Sequence, residues 1–343
     1  MSIPPIPVVF EPIFKPKPWG GRELARLFGK RLPGDDPIGE SWEVSDLPGN
    51  ESRVAGGPLA GKRIGELVEM WGRDLVGHAD LADGRFPLLI KFLDAREPLS
   101  VQVHPSGLGE SSASEPTGVK HEAWYVIDAH PEAGLYVGLK PGVGPDDVRK
   151  AVSGSGLADL HRLRPVKPGR CYYLPSGVPH ALGAGIVVAE VQTPSDVTYR
   201  LYDWQRVGLD GKPRELHVEQ ALAHLLCDVP EEQIVQPRRH SADVFTTVTR
   251  LVTCERFLID KLRLCEGIVR ELPSGEMAIW IVLGGRGALT RNRHQCEFKP
   301  GDVVVIPAES EGTRFEAASD CELLEVTIPI SRGSTDQRHG ALD

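Results

Sequence analysis

Hydrophobic residues in this chain recur mostly at every second position, in short runs closed by proline and glycine, and that period predicts strands. The clearest run is Ser100-Val101-Gln102-Val103-His104, in which Ser100, Gln102 and His104 leave one face and Val101 and Val103 the other. It follows an apolar run over 88–93, interrupted only by Lys91, and a polar bend through Asp94, Arg96, Glu97 and Pro98. A sheet closed on itself would turn the three polar side chains into its interior. Such a row needs a partner there, and a metal ion best fits an imidazole beside an oxygen donor.

The same alternation predicts strands at 8–10, 13–14, 38–45, 119–127, 134–139, 171–174, 186–193 and 197–202. Glu40, Trp42 and Val44 share one face of their strand, and Ser41, Glu43 and Ser45 the other. Lys120, Glu122 and Trp124 alternate with His121, Ala123 and Tyr125, so a carboxylate and a lysine leave the same side. Helical spacing is confined to short stretches: 22–28, 64–71, two pieces of 145–163 broken at Ser153-Gly154-Ser155-Gly156, and 216–226. A Ser/Gly-rich loop over 107–118 is placed as a rim over the site, and 229–238 reads as a connection.

From 241 a second strand-rich region follows, with strands at 245–252, 255–264, 276–283, 287–290, 303–307 and 322–328. Phe298 to Ala308 echoes the turn phrase from Pro168 to Ser176, a weak internal repeat in which no histidine takes the place of His180. The expected organisation is a unit at 1–240 with helical additions, a second at 241–330 and a polar tail at 331–343.

With 343 residues the chain is long enough for more than one core. A formal net charge of -9 argues against a nucleic-acid binder held by bulk positive charge. The six cysteines form no CxxC pair and no signal peptide precedes them, which is the pattern of reduced thiols in a cytoplasmic protein. No apolar run approaches the roughly 18 to 20 residues of a membrane span.

Gln102, His104, Glu122 and His180 form the candidate metal set. Two imidazoles and a carboxylate suit zinc with room for water or substrate, while iron and manganese accept the same donors. The ordinary alternative is a pair of buried histidines satisfied by hydrogen bonds. Lys91, Lys120, Arg200 and Arg206, with the hydroxyl of Ser100, favour an anionic ligand. Trp19, beside Gly20 and Gly21, reads either as a pocket wall or as cover for a core edge.

Three phrases resemble the signatures of type I mannose-6-phosphate isomerases: Ser100 to Pro105, Gly118 to Ile127 and Tyr173 to Leu182. The resemblance runs from Trp19-Gly20-Gly21 and Gly39-Glu40-Ser41-Trp42 to the phrase Ser195 to Asp203, and is greatest to the short bacterial form. It implies a mainly β double-stranded β-helix bicupin, with a catalytic N-terminal cupin and a degenerate C-terminal one. It also implies one Zn2+ per chain on Gln102, His104, Glu122 and His180, with Arg200 as the active-site arginine. Lys120 and Glu190 fall on pocket positions of the family, and Ser100 on a serine associated with phosphate recognition. Lys91, Trp19 and Arg206 complete the expected substrate-binding set. His121 and Arg170 depart from the family pattern, where threonine or serine and an acidic residue are common. The implied reaction interconverts D-mannose 6-phosphate and D-fructose 6-phosphate through a cis-enediol-like intermediate, with Glu190 and Lys120 as rival proton carriers. A metal-dependent cupin oxygenase and a noncatalytic sugar-binding bicupin are the competing readings. The expected partner is a small-molecule sugar phosphate, with neither nucleic acid nor membrane, and the oligomeric state is left open.

Overall fold

The alternating runs between Glu11 and Pro237 assemble into two large antiparallel sheets that share one core, beside a small hairpin of Asp46–Leu47 with Asn50–Glu51. A computed structural model describes residues 3–106, 119–152, 154 and 156–330. The expected rim at 107–118 and the tail from 331 lie outside the described residues. In this unit, made of Glu11–Ser52 and Leu88–Pro237, the first sheet has the order Cys171–Leu174, Glu122–Ala129, Ile186–Gln192, Leu89–Ala95, Ile13–Gly21, Ile38–Val44. The second has the order His161–Pro165, Gly134–Leu139, His180–Leu182, Val101–Val103, Tyr199–Tyr202.

Period-two patterning dictates what fills the space between them. Leu93, Trp124, Val126 and Val188 from the first sheet meet Leu135, Val137 and Leu182 from the second. Each such side chain, fully buried, contributes roughly 1.5–3 kcal/mol relative to exposure. Val101 and Val103 point the other way, as their alternation requires, into a second cluster with Val148, Tyr199, Leu201 and Ala221. The helices Pro145–Val152 and Val218–Ala223 supply part of that cover, so the second sheet is buried on both faces. Gln102, between the two valines, is thereby committed to the inner face.

The other unit comprises, among the described residues, 3–10, 53–87 and 238–330. Its seven-stranded sheet has the order Val8–Val9, Val303–Ile306, Ala278–Gly284, Cys321–Thr327, Leu258–Leu264, Thr246–Thr253, Arg239–Ala242. A four-stranded sheet, Val269–Glu271, Arg314–Ala317, Gly287–Arg291, His294–Phe298, packs its Leu289, Phe298 and Phe315 with Trp280. The opening residues and 53–87 thus cluster with the C-terminal strands, where the sequence boundary had everything before 241 in one unit. The reason is local pairing: Val8–Val9 joins Val303–Ile306, and Trp71 Nε1 donates to Ile3 O at 3.0 Å. Each unit also holds a tryptophan–glutamate bond of the same kind. Trp124 Nε1 donates to Glu190 at 2.8 Å, and Trp280 Nε1 to Glu325 at 2.7 Å, each across adjacent strands in register.

Several elements depart from the sequence expectation. The second helical piece before 163 is a single turn at Ala158–Leu160 followed by the strand His161–Pro165, paired with Gly134–Leu139. Leucine spacing suggested a helix, but Leu163 is exposed and the backbone pairing decides. The strand Ile13–Gly21 runs well beyond residue 14, its Pro16 accommodated where the register to Ile38–Val44 shifts. The helix expected at 216–226 contracts to Val218–Ala223. Among the described residues, no helix is long and apolar enough to cross a membrane.

Candidate metal centre and its surrounding pocket

Two rows of side chains, one from each sheet, converge at one end of the core. Across the second sheet Arg200 is registered with Gln102, and Gln102 with His180. Across the first, Leu174 is registered with Glu122, and Glu122 with Gln192. Directly opposite residues in antiparallel strands project from the same face, so the rows bring Gln102, His180 and Glu122 together. His104 joins them from just beyond the strand Val101–Val103.

The donor atoms of His104, Glu122 and His180 all lie within 4.8 Å of one another, and all three residues are buried. His180 Nε2 is 2.9 Å from Glu122 Oε1, and His104 Nε2 is 3.4 Å from Glu122 Oε2. The other ring nitrogens face backbone carbonyls: His104 Nδ1 to Val197 O at 2.9 Å and His180 Nδ1 to Val178 O at 2.8 Å. A carbonyl only accepts, so both rings carry their proton on Nδ1 and turn a bare Nε2 lone pair inward. Burial, reinforced by Lys120, pushes the His104 pKa down to about 3, which keeps it in the neutral, ligating form. Burial opposes the charge on Glu122, but the Lys120 ammonium outweighs it and holds its pKa well below the carboxylate range. Neither Glu122 oxygen has a well-directed hydrogen bond among the described residues. Two bare imidazole nitrogens around a buried carboxylate with unused lone pairs fit a divalent metal. Gln102 Nε2 lies 3.2 Å from His180 Nε2, and a half-turn of its amide presents Oε1 to the same place.

Lys120 enters this cluster directly, its Nζ 2.8 Å from Glu122 Oε2 and 3.1 Å from His104 Nε2. The shared face that alternation assigns to Lys120 and Glu122 is what places them together. Farther along the first sheet is a second charged layer. Lys91 Nζ lies 3.3 Å from Glu190 Oε2 and 4.7 Å above the Trp42 ring, and Glu40 accepts from Trp42 Nε1 at 2.6 Å and pairs with Lys17 at 3.0 Å. Burial works against the charge of Lys91, yet Glu190 and Glu40 outweigh it and raise its pKa above the ordinary range. Burial likewise opposes Glu40, but Lys91 and Lys17 bring it down to about 2. Both groups stay charged.

The remaining expected residues fall in different places. Ser100 is buried immediately before Val101–Val103. Arg200 is half-buried, its Nη1 donating to Glu215 O at 2.9 Å, and its Nε has no hydrogen-bond partner among the described residues. Trp19 packs in the central cluster with Trp124. Arg206 directs its guanidinium at Asp203 and at Pro98 O. Sequence reasoning passed over Gln192, fully buried beside Glu122 with its Oε1 unpartnered among the described residues. The spacing of Glu190 and Gln192 on one face was the available signal.

The family model for the phosphomannose isomerase type I catalytic domain matches residues 9–137. The chain is 33% identical to the mannose-6-phosphate isomerase ManA of Bacillus subtilis over 92% of its own length and 97% of that protein's. It is 33% identical to the mannose-6-phosphate isomerase of Streptococcus mutans over 90% and 94%. The crystal structure of the mannose 6-phosphate isomerase from Bacillus subtilis superposes with a TM-score of 0.82 at 32% identity, covering 94% of this chain and 99% of that one.

Proposed function

The chain belongs to the type I phosphomannose isomerase family, and we propose that it interconverts D-mannose 6-phosphate and D-fructose 6-phosphate with one Zn2+ held by Gln102, His104, Glu122 and His180. The observation that carries this reading is the buried convergence of His104, Glu122 and His180 within 4.8 Å. Two nitrogens and one carboxylate, with an amide oxygen beside them, are donors that zinc accepts while keeping a position open. When bound, the ion supplies Lewis acidity for the sugar oxygens.

The reaction moves one proton from C2 to C1 and one from O2 to O1. The first leaves C2 of the open-chain aldose, a cis-enediolate is held while negative charge rests on its oxygens, O1 takes up the proton that O2 gives up, and C1 is then protonated. We assign the proton transfer to Lys120, because its Nζ stands among the donor atoms of His104 and Glu122 without being one of the proposed ligands. Glu190, bound by Trp124 and paired with Lys91, serves as the fixed carboxylate that keeps Lys91 charged at the pocket wall. Arg200, on the Gln102 face, stabilises the negative charge of the enediol. Ser100 and Lys91 supply a hydroxyl and a cation for the substrate's anionic end. Trp19 completes the apolar wall, and Arg206 contributes through the loop it anchors. An oxygenase would leave this cationic set without a role. A cytoplasmic location accords with six cysteines that form no disulfide and with a substrate of central metabolism.

The decisive experiment is conversion of mannose 6-phosphate to fructose 6-phosphate by purified protein of known metal content, before and after chelation and zinc restoration. Activity that disappears and returns with stoichiometric zinc is expected. Folded, zinc-loaded protein without conversion would sink the reading.

A further inference from the structure

Arg200 is gripped by a segment in which the sequence singled out Arg206 alone as chemistry. After the strand Tyr199–Tyr202 the chain turns through Trp204 and Gln205, whose φ values of 57° and 55° are left-handed. Non-glycine residues persist there only where the surroundings hold them. Trp204 Nε1 donates to Leu99 O at 2.6 Å, and the buried Asp203 supplies the rest. Its Oδ1 accepts from Arg206 Nε at 3.2 Å and Nη2 at 2.8 Å, and its Oδ2 accepts from Arg214 Nε at 2.7 Å, with Arg214 Nη2 also on Oδ1. Arg206 Nη1 donates onward to Pro98 O at 2.6 Å. One carboxylate thus ties positions 206 and 214, between which Gly208 N donates to Lys212 O at 2.7 Å and closes a hairpin.

The chain leaving that hairpin meets Arg200 three times. Glu215 O accepts from Arg200 Nη1 at 2.9 Å, His217 N donates to Arg200 O at 2.8 Å, and Arg200 N donates to His217 Nδ1 at 3.3 Å. Guanidinium and backbone are fixed together, next to Gln102.

We infer that Asp203 is a positioning residue for the isomerisation: by binding Arg206 and Arg214 at once it fixes the segment whose Glu215 carbonyl and His217 aim Arg200 at the site. The inference rests on the role given to Arg200 above. It requires Asp203 to act through Arg200 and not through general stability. A misplacement of about 1 Å at a charge-stabilising group costs on the order of 100-fold. Asn keeps the shape of Asp203 but accepts at one oxygen only and carries no charge for two guanidiniums.

The test is a double-mutant cycle on the zinc-loaded full chain with Asp203→Asn and Arg200→Ala. Asp203→Asn alone is expected to lower kcat by about 30- to 100-fold with KM for mannose 6-phosphate within about threefold and zinc content unchanged. In the Arg200→Ala background the same change should cost less than about twofold, because the group it aims is gone. An equal loss in both backgrounds, or a loss that tracks zinc content, overturns the inference. Arg214→Gln, which leaves Arg206 on the carboxylate, guards against a variant that does not fold and should show a smaller loss with the same cancellation. Hydrogen exchange supplies a readout without activity: peptides spanning 199–217 should exchange faster in either loop variant, and unchanged exchange there overturns the inference. Wild type that fails to convert mannose 6-phosphate would remove the proposed activity, while hydrogen exchange would still decide whether Asp203 holds the Arg200 segment.

Discussion

His180 Nε2 stands 2.9 Å from Glu122 Oε1, although the two residues come from different sheets. The contact marks where the inner faces of the sheets meet, and Glu122 is completely buried there. His180→Ala removes one nitrogen donor and leaves the carboxylate with fewer partners. Second-layer partners of metal ligands are worth about 10- to 100-fold in affinity, so loss of the ligand itself should weaken zinc binding by at least that much. Chelator competition with metal analysis measures it. A His180→Ala protein with wild-type zinc affinity would remove His180 from the set.

How far this site was legible in the sequence depends on whether alternation or long-range pairing fixes each residue. Val101 and Val103 could be placed outward, and Gln102 inward, because a period of two leaves no other choice. Lys120 and Glu122 follow the same rule and meet at 2.8 Å. The stretch from Leu157 to Leu163 misled because its leucines are spaced as in a helix, whereas the strand His161–Pro165 is decided by pairing with residues some 25 positions earlier. The holders of Arg200 were not legible for a different reason. Between Asp203 and His217 there is no period at all, and what matters is one carboxylate reached by two arginines.

Lys91 lies between two carboxylates, the buried Glu190 at 3.3 Å and the half-buried Glu40, and is itself 4% exposed. Lys91→Met keeps the volume and leaves the buried Glu190 without its cation, while Glu40 retains Lys17, so it should destabilise the fold by about 3–5 kcal/mol. The acid limb changes as well. Glu40 titrates at about 2 in the folded chain against 4.5 ordinarily, so its stabilisation is present above 4.5 and is lost as pH falls toward 2. That limb should be shallower in Lys91→Met. Chemical denaturation across pH reads both effects, and wild-type stability in the variant would show that Lys91 is dispensable to the layer.

Asp94 carries the opposite sign. Its Oδ2 accepts from Glu23 N at 2.6 Å at the start of the helix Glu23–Phe28, and burial raises its pKa from 3.8 to about 6 despite the backbone donors. The folded chain therefore binds a proton that the unfolded chain has released, and stability falls as pH rises from about 3.8 to about 6, then levels. Asn retains an acceptor for Glu23 N–H without the buried charge. Asp94→Asn is expected to gain up to about 2 kcal/mol at pH 7, shrinking steadily as pH is lowered from 6 toward 4.5. Thermal unfolding over that range decides it. A loss at pH 7 would mean that the charge on Asp94 is worth more to the helix start than its burial costs.

Lys120 is the sharpest test of the proposed chemistry because it touches two of the proposed metal ligands without being one. If it carries the proton, Lys120→Ala should lower kcat by about 100- to 10,000-fold, the usual range for a lost general acid or base. Zinc should still bind, since His104, Glu122 and His180 remain and a competing cation has gone. Exchange of the substrate C2 proton with deuterated solvent should fall by the same factor as turnover, because both need the same transfer. If exchange persists while net conversion stops, another group takes the proton from C2 and Lys120 acts on the sugar oxygens. Glu190, held at 2.8 Å by Trp124, would then be the carboxylate to substitute next.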